Sequence, residues 1–208
     1  MAKKDKFSIM EHDWQSQAYV DEWIRRDVQQ DDQRRPHLRK MFEHVHFAQD
    51  KQIDVLDVGG GFGVATEELL RAFPHARVVV MDYSQPMLGH ARSRLACYTD
   101  QIRYVLADLR EHSWTERVGG PFDLVISGWA IHNLADSILV SACYRGIARL
   151  LKPGCAFLNY DLVDHVGGTT LHSRLLREAG FVRVRCLWHQ APAAIYVAYA
   201  NAIRQGGG

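Results

Sequence analysis

The chain alternates short apolar runs with segments of helical periodicity. Runs rich in β-branched residues predict five strands, at Ile53–Val58, Arg77–Asp82, Ile102–Leu106, Phe122–Ser127 and Cys155–Tyr160. Helical spacing predicts helices at Gly63–Ala72, Pro86–Ala96, Asp136–Leu151 and Thr169–Ala179. Such alternation is typical of an α/β sheet with crossover helices. Continuous apolar runs such as VVVM further favour strands buried on both faces of a mostly parallel sheet.

Both ends of the chain depart from this alternation. Two further runs, Phe181–Trp188 and Ala194–Ala200, are separated by only a few residues, which predicts an antiparallel hairpin. The stretch before residue 50 is helical in pattern and rich in charge, as in Asp21–Gln33, and Pro36 marks a break or a helix start. We therefore expect a helical cap at 1–50, a ligand-binding domain at 51–204 and a flexible tail at 205–208.

Composition excludes several classes of protein. The 208 residues are 47% hydrophobic with a net charge of +1, which suits a globular domain and disfavours a binder of many phosphates. No run approaches the roughly 20 apolar residues of a membrane span, and the charged start MAKKDKFSIMEHDW lacks the apolar core of a signal peptide. The four cysteines are far apart and lack zinc-ligand spacing, so we expect buried, reduced thiols, no metal and a cytoplasmic protein.

The first strand runs through Val55-Leu56-Asp57-Val58 into a glycine-rich turn, GGGFG, and then directly into a helix. Glycines there let a ligand approach the backbone and the free amides of a helix N-terminus. A dinucleotide fingerprint needs a third glycine, but Val64 or Thr66 occupies that position in either register. The turn therefore favours a ligand without a diphosphate.

Acidic residues follow the next two strands. Asp82 ends the second strand, where a carboxylate can accept hydrogen bonds from both ribose hydroxyls; the alternative is a solvated turn aspartate. Asp108 closes the third strand and could accept a hydrogen bond from an exocyclic amine. The carboxyl ends of adjacent strands are where open α/β sheets bind ligands.

Taken together, VLDVGGGFG, VVVMD, VLADL, FDLVISGWAIHNL and the strand after LLKPG resemble the class I S-adenosylmethionine-dependent methyltransferases, especially their small-molecule branch. The resemblance runs from about Ile53 to Ala200. It implies a Rossmann-like doubly wound sheet of seven strands in the order 3-2-1-4-5-7-6, with strand 7 antiparallel and an N-terminal helical lid. It also implies an enzyme that moves a methyl group from S-adenosylmethionine to an O, N or S atom of a small molecule, leaving S-adenosylhomocysteine.

The resemblance also assigns residues to each part of the cofactor. It implies that the methionine portion lies at Asp57, at the backbone of Gly59 and Gly61, and beside Ser127 and Gly128. It implies that the nucleoside portion lies at Asp82 (ribose), Tyr83, Asp108 and the Leu109 amide (adenine).

Three aromatic residues in the predicted cap fall on overlapping faces of one helix, namely Trp14, Tyr19 and Trp23. They could close over a pocket, with Trp14 beside the substrate. In related enzymes a tyrosine placed like Tyr19 reaches the carboxylate of the cofactor. The alternative for Trp14 and Trp23 is simple anchoring of the helix to the core.

Methyl transfer from a sulfonium needs alignment and a dry site more than covalent chemistry. Trp129, just after the fourth strand, could stabilise the cation, or it could simply pack. His132 follows the same strand and, as the residue type best suited to proton transfer near neutral pH, is the leading base candidate, although a structural role is open. Asp161, at the end of the fifth strand, is a second catalytic candidate. Further histidines that could line the substrate pocket are His165, His172 and His189.

Several alternatives stay open at this point. An RNA or protein methyltransferase of the same fold is disfavoured by the balanced charge and by Ser127-Gly128-Trp129-Ala130, which replaces the Asn/Asp-Pro-Pro-aromatic tetrapeptide of many such relatives. A basic stretch comprises Arg25, Arg26, Arg34, Arg35, Arg39 and Lys40. Because acids interrupt this stretch, we expect a solvated helix face there. A non-catalytic scaffold and a nicotinamide-dependent oxidoreductase are the remaining alternatives, and the chain could act as a monomer or a homodimer.

Overall fold

A computed structural model of the chain describes residues 12–48 and 50–202. Its strands are β1 (Asp54–Val58), β2 (Arg77–Asp82), β3 (Ile102–Leu106), β4 (Phe122–Gly128), β5 (Leu151–Asp161), β6 (Val182–Gln190) and β7 (Ala193–Tyr199). Its α-helices are α1 (Gln17–Asp27), α2 (Asp31–Phe42), α3 (Val64–Ala72), α4 (Gln85–Arg94), α5 (Trp114–Val118), α6 (Ser137–Leu150) and α7 (Gly168–Glu178). Short 3-10 helices occupy Val28–Gln30, Ala96–Gln101, Ile131–Leu134 and Val163–Val166.

The seven strands form one sheet in the order β3-β2-β1-β4-β5-β7-β6. Strands β1 to β5 pair in parallel, whereas β7 runs antiparallel to both β5 and β6. The order, the hairpin and the antiparallel seventh strand expected from the sequence are therefore confirmed. Helices cover both faces of the sheet, as right-handed crossovers between parallel strands require.

Each face of the sheet carries its own apolar core. On one face Leu56 of β1 packs in a cluster with Tyr144 of α6 and Phe157 of β5. On the other, Val55 of β1 packs in a cluster with Leu69 of α3. Neighbouring residues of a strand point to opposite faces, so burial on both sides requires the continuous apolar runs seen in the sequence.

The largest differences from the sequence prediction lie in β5 and in the N-terminal helices. Strand β5 begins at Leu151 and passes through Pro153, because Leu151 pairs with Phe122 across an irregularity in β4. Helix α2 runs through Pro36, where we expected a break or a start. The glycine tail at 205–208 lies outside the described residues, and 1–11 of the expected cap do too.

The basic stretch of the cap is only partly solvated. Arg35 is largely buried between Glu67 and Glu68 of α3, and Arg94 of α4 bonds both Glu67 and Asp31. The prediction of a solvated helix face is therefore wrong for this part of α2, because these charges tie the cap to the sheet domain. A buried charge is stable only beside a group of opposite charge, and the sequence alone does not show which residues pair in this way.

Two smaller expectations are also settled for the described residues. All four cysteines are free thiols, but Cys97 and Cys186 are exposed and only Cys143 is fully buried. No helix in residues 12–48 and 50–202 is long and apolar enough to cross a bilayer.

Candidate active site

A cavity of about 990 Å³ opens at the carboxyl ends of β1 to β5. The turns after β1, β2, β3 and β4 line it on the sheet side, and the cap lines it on the other. Parallel strands place their carboxyl ends at one edge of the sheet, which explains why segments distant in sequence meet here. Following the expectation from the sequence, we call the part near β2 and β3 the nucleoside end and the part near Trp129 and Tyr160 the acceptor end.

The glycine turn after β1 forms the floor of the cavity. Gly59 has φ +65°, and a Cβ placed there would overlap the Cβ of Ala130. Gly61 has φ +53°, and a Cβ there would meet nothing within 4 Å, so its backbone faces open space. Both positions adopt the left-handed region that favours glycine. The turn therefore presses close to the loop after β4 and leaves backbone exposed to a ligand.

Asp82 joins this turn to the nucleoside end. Its Oδ2 accepts the Gly61 amide at 2.9 Å and its Oδ1 accepts the Ser84 amide at 2.8 Å. Burial raises the pKa of this carboxyl above its usual value. Each carboxylate oxygen has two lone-pair sites, so Asp82 can hold the turn and still accept two ligand hydroxyls. Tyr83, Asp108 and Leu109 line the same end of the cavity.

Asp57 and Ser127 lie behind the cavity wall and do not line it. Asp57 is fully buried, its Oδ2 accepts the Thr66 hydroxyl at 2.6 Å, and burial raises its pKa to about 7. The Ser127 hydroxyl donates to the Val58 carbonyl at 2.9 Å. Both side chains thus support the glycine turn and strand β4 from beneath, whereas Gly128 does line the cavity.

An N-terminal strap, which we define as residues 12–16, closes the nucleoside end. Its His12 and Trp14 line the cavity. The strap is held because Ser84 Oγ donates to the Trp14 carbonyl and Gln15 Nε2 donates to the Tyr83 carbonyl at 2.7 Å. Burial lowers the pKa of His12, and so does repulsion from the His132 ring whenever that ring is protonated.

Trp23 lines the cavity beside this strap, but Tyr19 does not. The rings of Trp14 and Trp23 meet edge to face at 5.1 Å, and Trp23 meets Phe62 in the same way at 5.9 Å. Tyr19 instead bonds through its hydroxyl to His12 Nδ1. Of the three cap aromatics, the structure brings Trp14 and Trp23 to the site and leaves Tyr19 supporting the strap.

Trp129 stands at the acceptor end with an unusual backbone φ of +55°. The Arg34 guanidinium of α2 covers one face of its indole at 3.9 Å, and Tyr160 meets the ring at 6.0 Å. That face of the indole is therefore occupied by a cation of the protein itself. Trp129 does line the cavity, but the free aromatic surface expected for a cationic ligand is reduced.

His132 and Asp161 form one hydrogen-bonded unit at the acceptor end. His132 Nδ1 lies 2.6 Å from Asp161 Oδ1, and the His132 amide donates to Asp161 Oδ2 at 2.9 Å. Asp161 also accepts the Leu162 amide at 2.9 Å and is fully buried. An ionised carboxylate only accepts hydrogen bonds, so Nδ1 of His132 carries the proton and Nε2 is left as the acceptor. Asp161 is thus not an independent base: it positions His132.

The remaining histidines divide between the cavity and other parts of the fold. His165 lines the cavity, with its ring 5.6 Å from that of His132. His172 is fully buried in the core and lies 2.6 Å from the Tyr144 hydroxyl, so its expected place in the substrate pocket is incorrect. His189 lies on β6, 3.6 Å from Asp164 Oδ2. Within residues 12–48 and 50–202 no three metal-binding side chains converge.

Sequence reasoning missed Arg34 and Asp27, which both line the cavity. Arg34 donates to both carboxylate oxygens of Asp27, and both residues are buried. The two residues are seven apart, which is a helical repeat, but the 3-10 helix Val28–Gln30 separates their helices, so the spacing alone does not predict the contact. The available signal was that Arg34 lies four and seven residues before Leu38 and Met41, which are both buried.

Residues 55–154 match the family described as Methyltransferase domain. The chain is 32% identical over 108 residues to malonyl-[acyl-carrier protein] O-methyltransferase of Magnetococcus marinus, covering 52% of this chain and 37% of that protein. It is 31% identical over 144 residues to trans-aconitate 2-methyltransferase of Yersinia pestis, covering 64% of this chain and 51% of that protein. The chain thus spans about half, or less, of the length of these relatives.

Among solved structures, the chain is similar to the N-methyltransferase NodS of Bradyrhizobium japonicum in complex with S-adenosyl-L-homocysteine. The TM-score is 0.63 at 19% sequence identity, covering 81% of this chain and 86% of that one. This likeness concerns the fold.

Proposed function

We propose that this chain, which belongs to the class I S-adenosylmethionine-dependent methyltransferases, methylates a hydroxyl or amine of a small molecule and uses His132 as the base. The observation that carries the proposal is the His132–Asp161 unit at the acceptor end of the cavity. We further propose that the cap, up to about residue 50, encloses the acceptor, and that residues 51–204 form the cofactor-binding domain.

The cavity suits S-adenosylmethionine, the cofactor of this family. Gly61 presents open backbone at the floor, where a side chain would intrude on a ligand. Asp82 keeps lone pairs for the two ribose hydroxyls, and Asp108 and the Leu109 amide lie at the same end for an adenine edge. The buried carboxyls of Asp57 and Asp82 favour a ligand that carries positive charge. When bound, this cofactor supplies a methyl group on a cationic sulfur.

His132 is oriented for proton abstraction by its own contacts. Asp161 holds both its Nδ1 and its backbone amide, which fixes the ring and its tautomer. The Nε2 lone pair is then available to accept the proton of an acceptor hydroxyl or ammonium in the cavity. Asp161 also stabilises the imidazolium that forms when His132 takes this proton. A positioned base of this kind contributes about 100- to 10,000-fold to rate.

The walls of the site restrict water and orient the two reactants. Leu38, Tyr160 and Leu162 give the acceptor end an apolar lining, and Trp14 and Trp23 close the opposite side. Expelling water strengthens the electrostatic contacts within the site and prevents hydrolysis of reactive species. Alignment of acceptor and methyl donor in one enclosed cavity is the main requirement of an in-line displacement.

An RNA or protein acceptor and a non-catalytic scaffold are the alternative functions. A macromolecular acceptor would have to reach the His132–Asp161 unit past the strap and the cap helices, which line one side of the cavity. A scaffold would need no base at the acceptor end, so the oriented His132 favours catalysis. These alternatives predict different outcomes in the test below.

The test is a screen of small hydroxyl and amine acceptors with S-adenosylmethionine, monitored by release of S-adenosylhomocysteine. We expect turnover with at least one acceptor, and His132→Ala should reduce kcat by about 100-fold or more while the affinity for S-adenosylhomocysteine is retained. Asp82→Ala should weaken that affinity by about 1–3 kcal/mol, the scale of charge-assisted hydrogen bonds. Unchanged turnover in His132→Ala would disprove its role as base. If only added RNA or protein were methylated, the acceptor would be a macromolecule and not a small molecule.

A further inference from the structure

His12, the first residue of the strap, presents an imidazole ring to the cavity. The residue is exposed and lines the cavity, and its ring stacks on Trp14 with the centroids 4.9 Å apart. Partial burial lowers the pKa of His12, and so does repulsion from a protonated His132. The two rings are therefore within electrostatic range of one another, and His12 is neutral near pH 7.

A hydrogen bond to Tyr19 determines which nitrogen of His12 carries the proton. The bond joins His12 Nδ1 to the Tyr19 hydroxyl, and burial raises the pKa of this phenol, so the phenol keeps its proton. A neutral imidazole nitrogen is a better proton acceptor than a phenol oxygen, so the hydroxyl donates and Nδ1 accepts. A neutral imidazole carries a single proton, which in His12 is therefore on Nε2.

The Nε2–H group of His12 is turned towards the cavity. The two nitrogens lie on opposite sides of the ring, and Nδ1 faces Tyr19, which does not line the cavity. Within residues 12–48 and 50–202, Nε2 has no hydrogen-bond partner. Stacking on Trp14 and the bond to Tyr19 hold the ring in this orientation. His12 thus offers a donor to a ligand.

His132 has the opposite tautomer. Its Nδ1–H donates to Asp161, so its Nε2 offers a lone pair to the same cavity. A hydroxyl that gives its proton to His132 needs its own lone pair to attack a methyl group, and a hydrogen bond from His12 to that oxygen would reduce its nucleophilicity. The His12 donor therefore suits a second oxygen of the same acceptor molecule.

The charges at the acceptor end favour an uncharged molecule. Among the described residues that line this end, Arg34 and Asp27 pair with each other through two hydrogen bonds. Asp161 lies behind His132 and does not line the cavity. An ionised group on the acceptor would find no unpaired opposite charge among these residues, and burying such a group without a partner is unfavourable.

We propose that His12 determines the acceptor specificity of this cavity, with its Nε2–H donating to a neutral oxygen of the acceptor while His132 takes the proton of the hydroxyl that is methylated. The acceptor class is then an uncharged compound that carries a hydroxyl and a second oxygen able to accept a hydrogen bond, as in an ether or a carbonyl. Tyr19 is a positioning residue, because it keeps the proton of His12 on Nε2. The inference rests on the proposed function, since it takes His132 as the base.

The experiment measures binding by calorimetry in saturating S-adenosylhomocysteine. The probes are the three methoxyphenols and the three ethylphenols, which match in shape at each ring position but differ in the second oxygen. The three hydroxybenzoates supply the ionised alternative. Phenols are used because Leu38, Tyr160 and Leu162 give the acceptor end an apolar lining.

The variants remove or keep the donor of residue 12. His12→Phe keeps a ring to stack on Trp14 but has no N–H group, whereas His12→Gln keeps a donor. His75→Phe is the matched control, because His75 is exposed between α3 and β2 and does not line the cavity. The affinity for S-adenosylhomocysteine and the temperature of unfolding are measured for each variant.

We expect the wild type to bind at least one methoxyphenol about three- to tenfold more tightly than the matching ethylphenol, the scale of one hydrogen bond. His12→Phe should lose this preference, whereas His12→Gln and His75→Phe should keep it. Equal preference in the wild type and His12→Phe would overturn the proposal, as would a wild type that binds none of the methoxyphenols. Tighter binding of the hydroxybenzoates would show that the second group is a carboxylate, which contradicts an uncharged acceptor.

Tyr19→Phe tests the positioning role and covers the risk that His12→Phe disturbs the strap. Without the phenol, the proton of His12 can occupy either nitrogen, so the preference for the methoxyphenol should fall. The same substitution added to His12→Gln should change nothing, because an amide donor needs no tautomer. An equal fall in both backgrounds would show that Tyr19 acts on the strap as a whole.

The readouts separate this inference from the proposed function. Binding is measured without methyl transfer, so a protein that prefers the methoxyphenol through His12 but never methylates a small molecule would refute only the proposed function. A protein that methylates a small hydroxyl compound with equal preference in the wild type and His12→Phe would refute only the role of His12. If His12→Phe weakened S-adenosylhomocysteine binding and left the preference unchanged, His12 would belong to the cofactor and not to the acceptor.

Discussion

Replacing Asp161 by asparagine tests the proposed base most directly, because the substitution keeps the shape of the side chain. Asp161 accepts three hydrogen bonds, from His132 Nδ1, the His132 amide and the Leu162 amide. Asparagine has one oxygen and a donor NH2 group, so at least one of these donors must face another donor. Oδ1 accepts His132 Nδ1 and the Leu162 amide, whereas Oδ2 accepts the His132 amide. If the asparagine oxygen takes the place of Oδ2, the new NH2 group faces Nδ1 and the proton of the neutral ring moves to Nε2, which can no longer accept one from the substrate. If it takes the place of Oδ1, the Nδ1 hydrogen bond survives, but the carboxylate charge that stabilises the imidazolium is lost.

The structure gives a magnitude for each effect. Loss of the base should lower kcat by about 100- to 10,000-fold. One lost charge-assisted hydrogen bond at a fully buried site should lower the free energy of unfolding by about 1.5–3 kcal/mol. The affinity for S-adenosylhomocysteine should be retained, because Asp161 lies at the acceptor end.

The assay follows S-adenosylhomocysteine release at saturating cofactor over a range of pH, with calorimetry for cofactor affinity and thermal unfolding for stability. Asp164→Asn is the matched control, since Asp164 forms an exposed pair with His189 on the same part of the chain. The control should retain kcat. If Asp161→Asn retained wild-type kcat and its pH dependence, His132 would not act as the base.

Three further predictions concern the glycine turn, the strap and the buried Asp57. Gly59→Ala should destabilise the fold by about 1–3 kcal/mol, because residue 59 has a positive φ and the new Cβ would overlap Ala130. It should also abolish S-adenosylhomocysteine binding in calorimetry. The control is Gly89→Ala in α4, where a Cβ meets nothing and stability should be unchanged or increased. Trp14→Ala should accelerate S-adenosylhomocysteine dissociation about tenfold or more in stopped-flow fluorescence, since it removes the indole that the strap places against the cavity. An unchanged rate would show that the strap does not limit dissociation of this ligand. Burial raises the pKa of Asp57 to about 7, so the folded chain keeps a proton that the unfolded chain releases near pH 4. Wild-type unfolding free energy should therefore fall relative to Asp57→Asn as pH rises from about 4 to 7, by up to about 4 kcal/mol, and parallel curves in urea titrations would contradict this.

The sheet could be predicted because its residues obey local rules. Strands buried on both faces need continuous apolar runs, and VVVM and DLVIS are short apolar runs with β-branched residues, as such strands favour. The glycine turn and the place of Asp82 at the end of β2 were also predictable, since a turn with positive φ favours glycine and Asp82 directly follows an apolar run.

The partners of charged and titratable residues could not be predicted in this way. His132 and His172 are the same residue type, yet one lines the cavity and the other is buried against Tyr144 of a different helix. Likewise Arg34 reads as part of a solvated basic stretch until the turn at residues 28–30 brings Asp27 against it. Such outcomes depend on the relative placement of helices, which hydrophobic periodicity alone leaves undetermined.

The buried carboxyls of Asp57 and Asp82, which lie beside the glycine turn, lower the free energy of unfolding when they ionise. Asp57 has no contact with the cavity, and its burial raises its pKa to about 7, so the fold would be more stable with a neutral residue there. Asp82 is buried as well, and it accepts the Gly61 amide of the glycine turn and the Ser84 amide that follows β2. The charge of Asp82 also raises the pKa of Asp57, so selection for stability alone would disfavour this pair of carboxyls. The two carboxyls suit a cationic ligand, because its positive charge lowers the free energy of ionising both groups. Binding of such a ligand to the folded chain then offsets the loss of stability that the buried carboxylates cause.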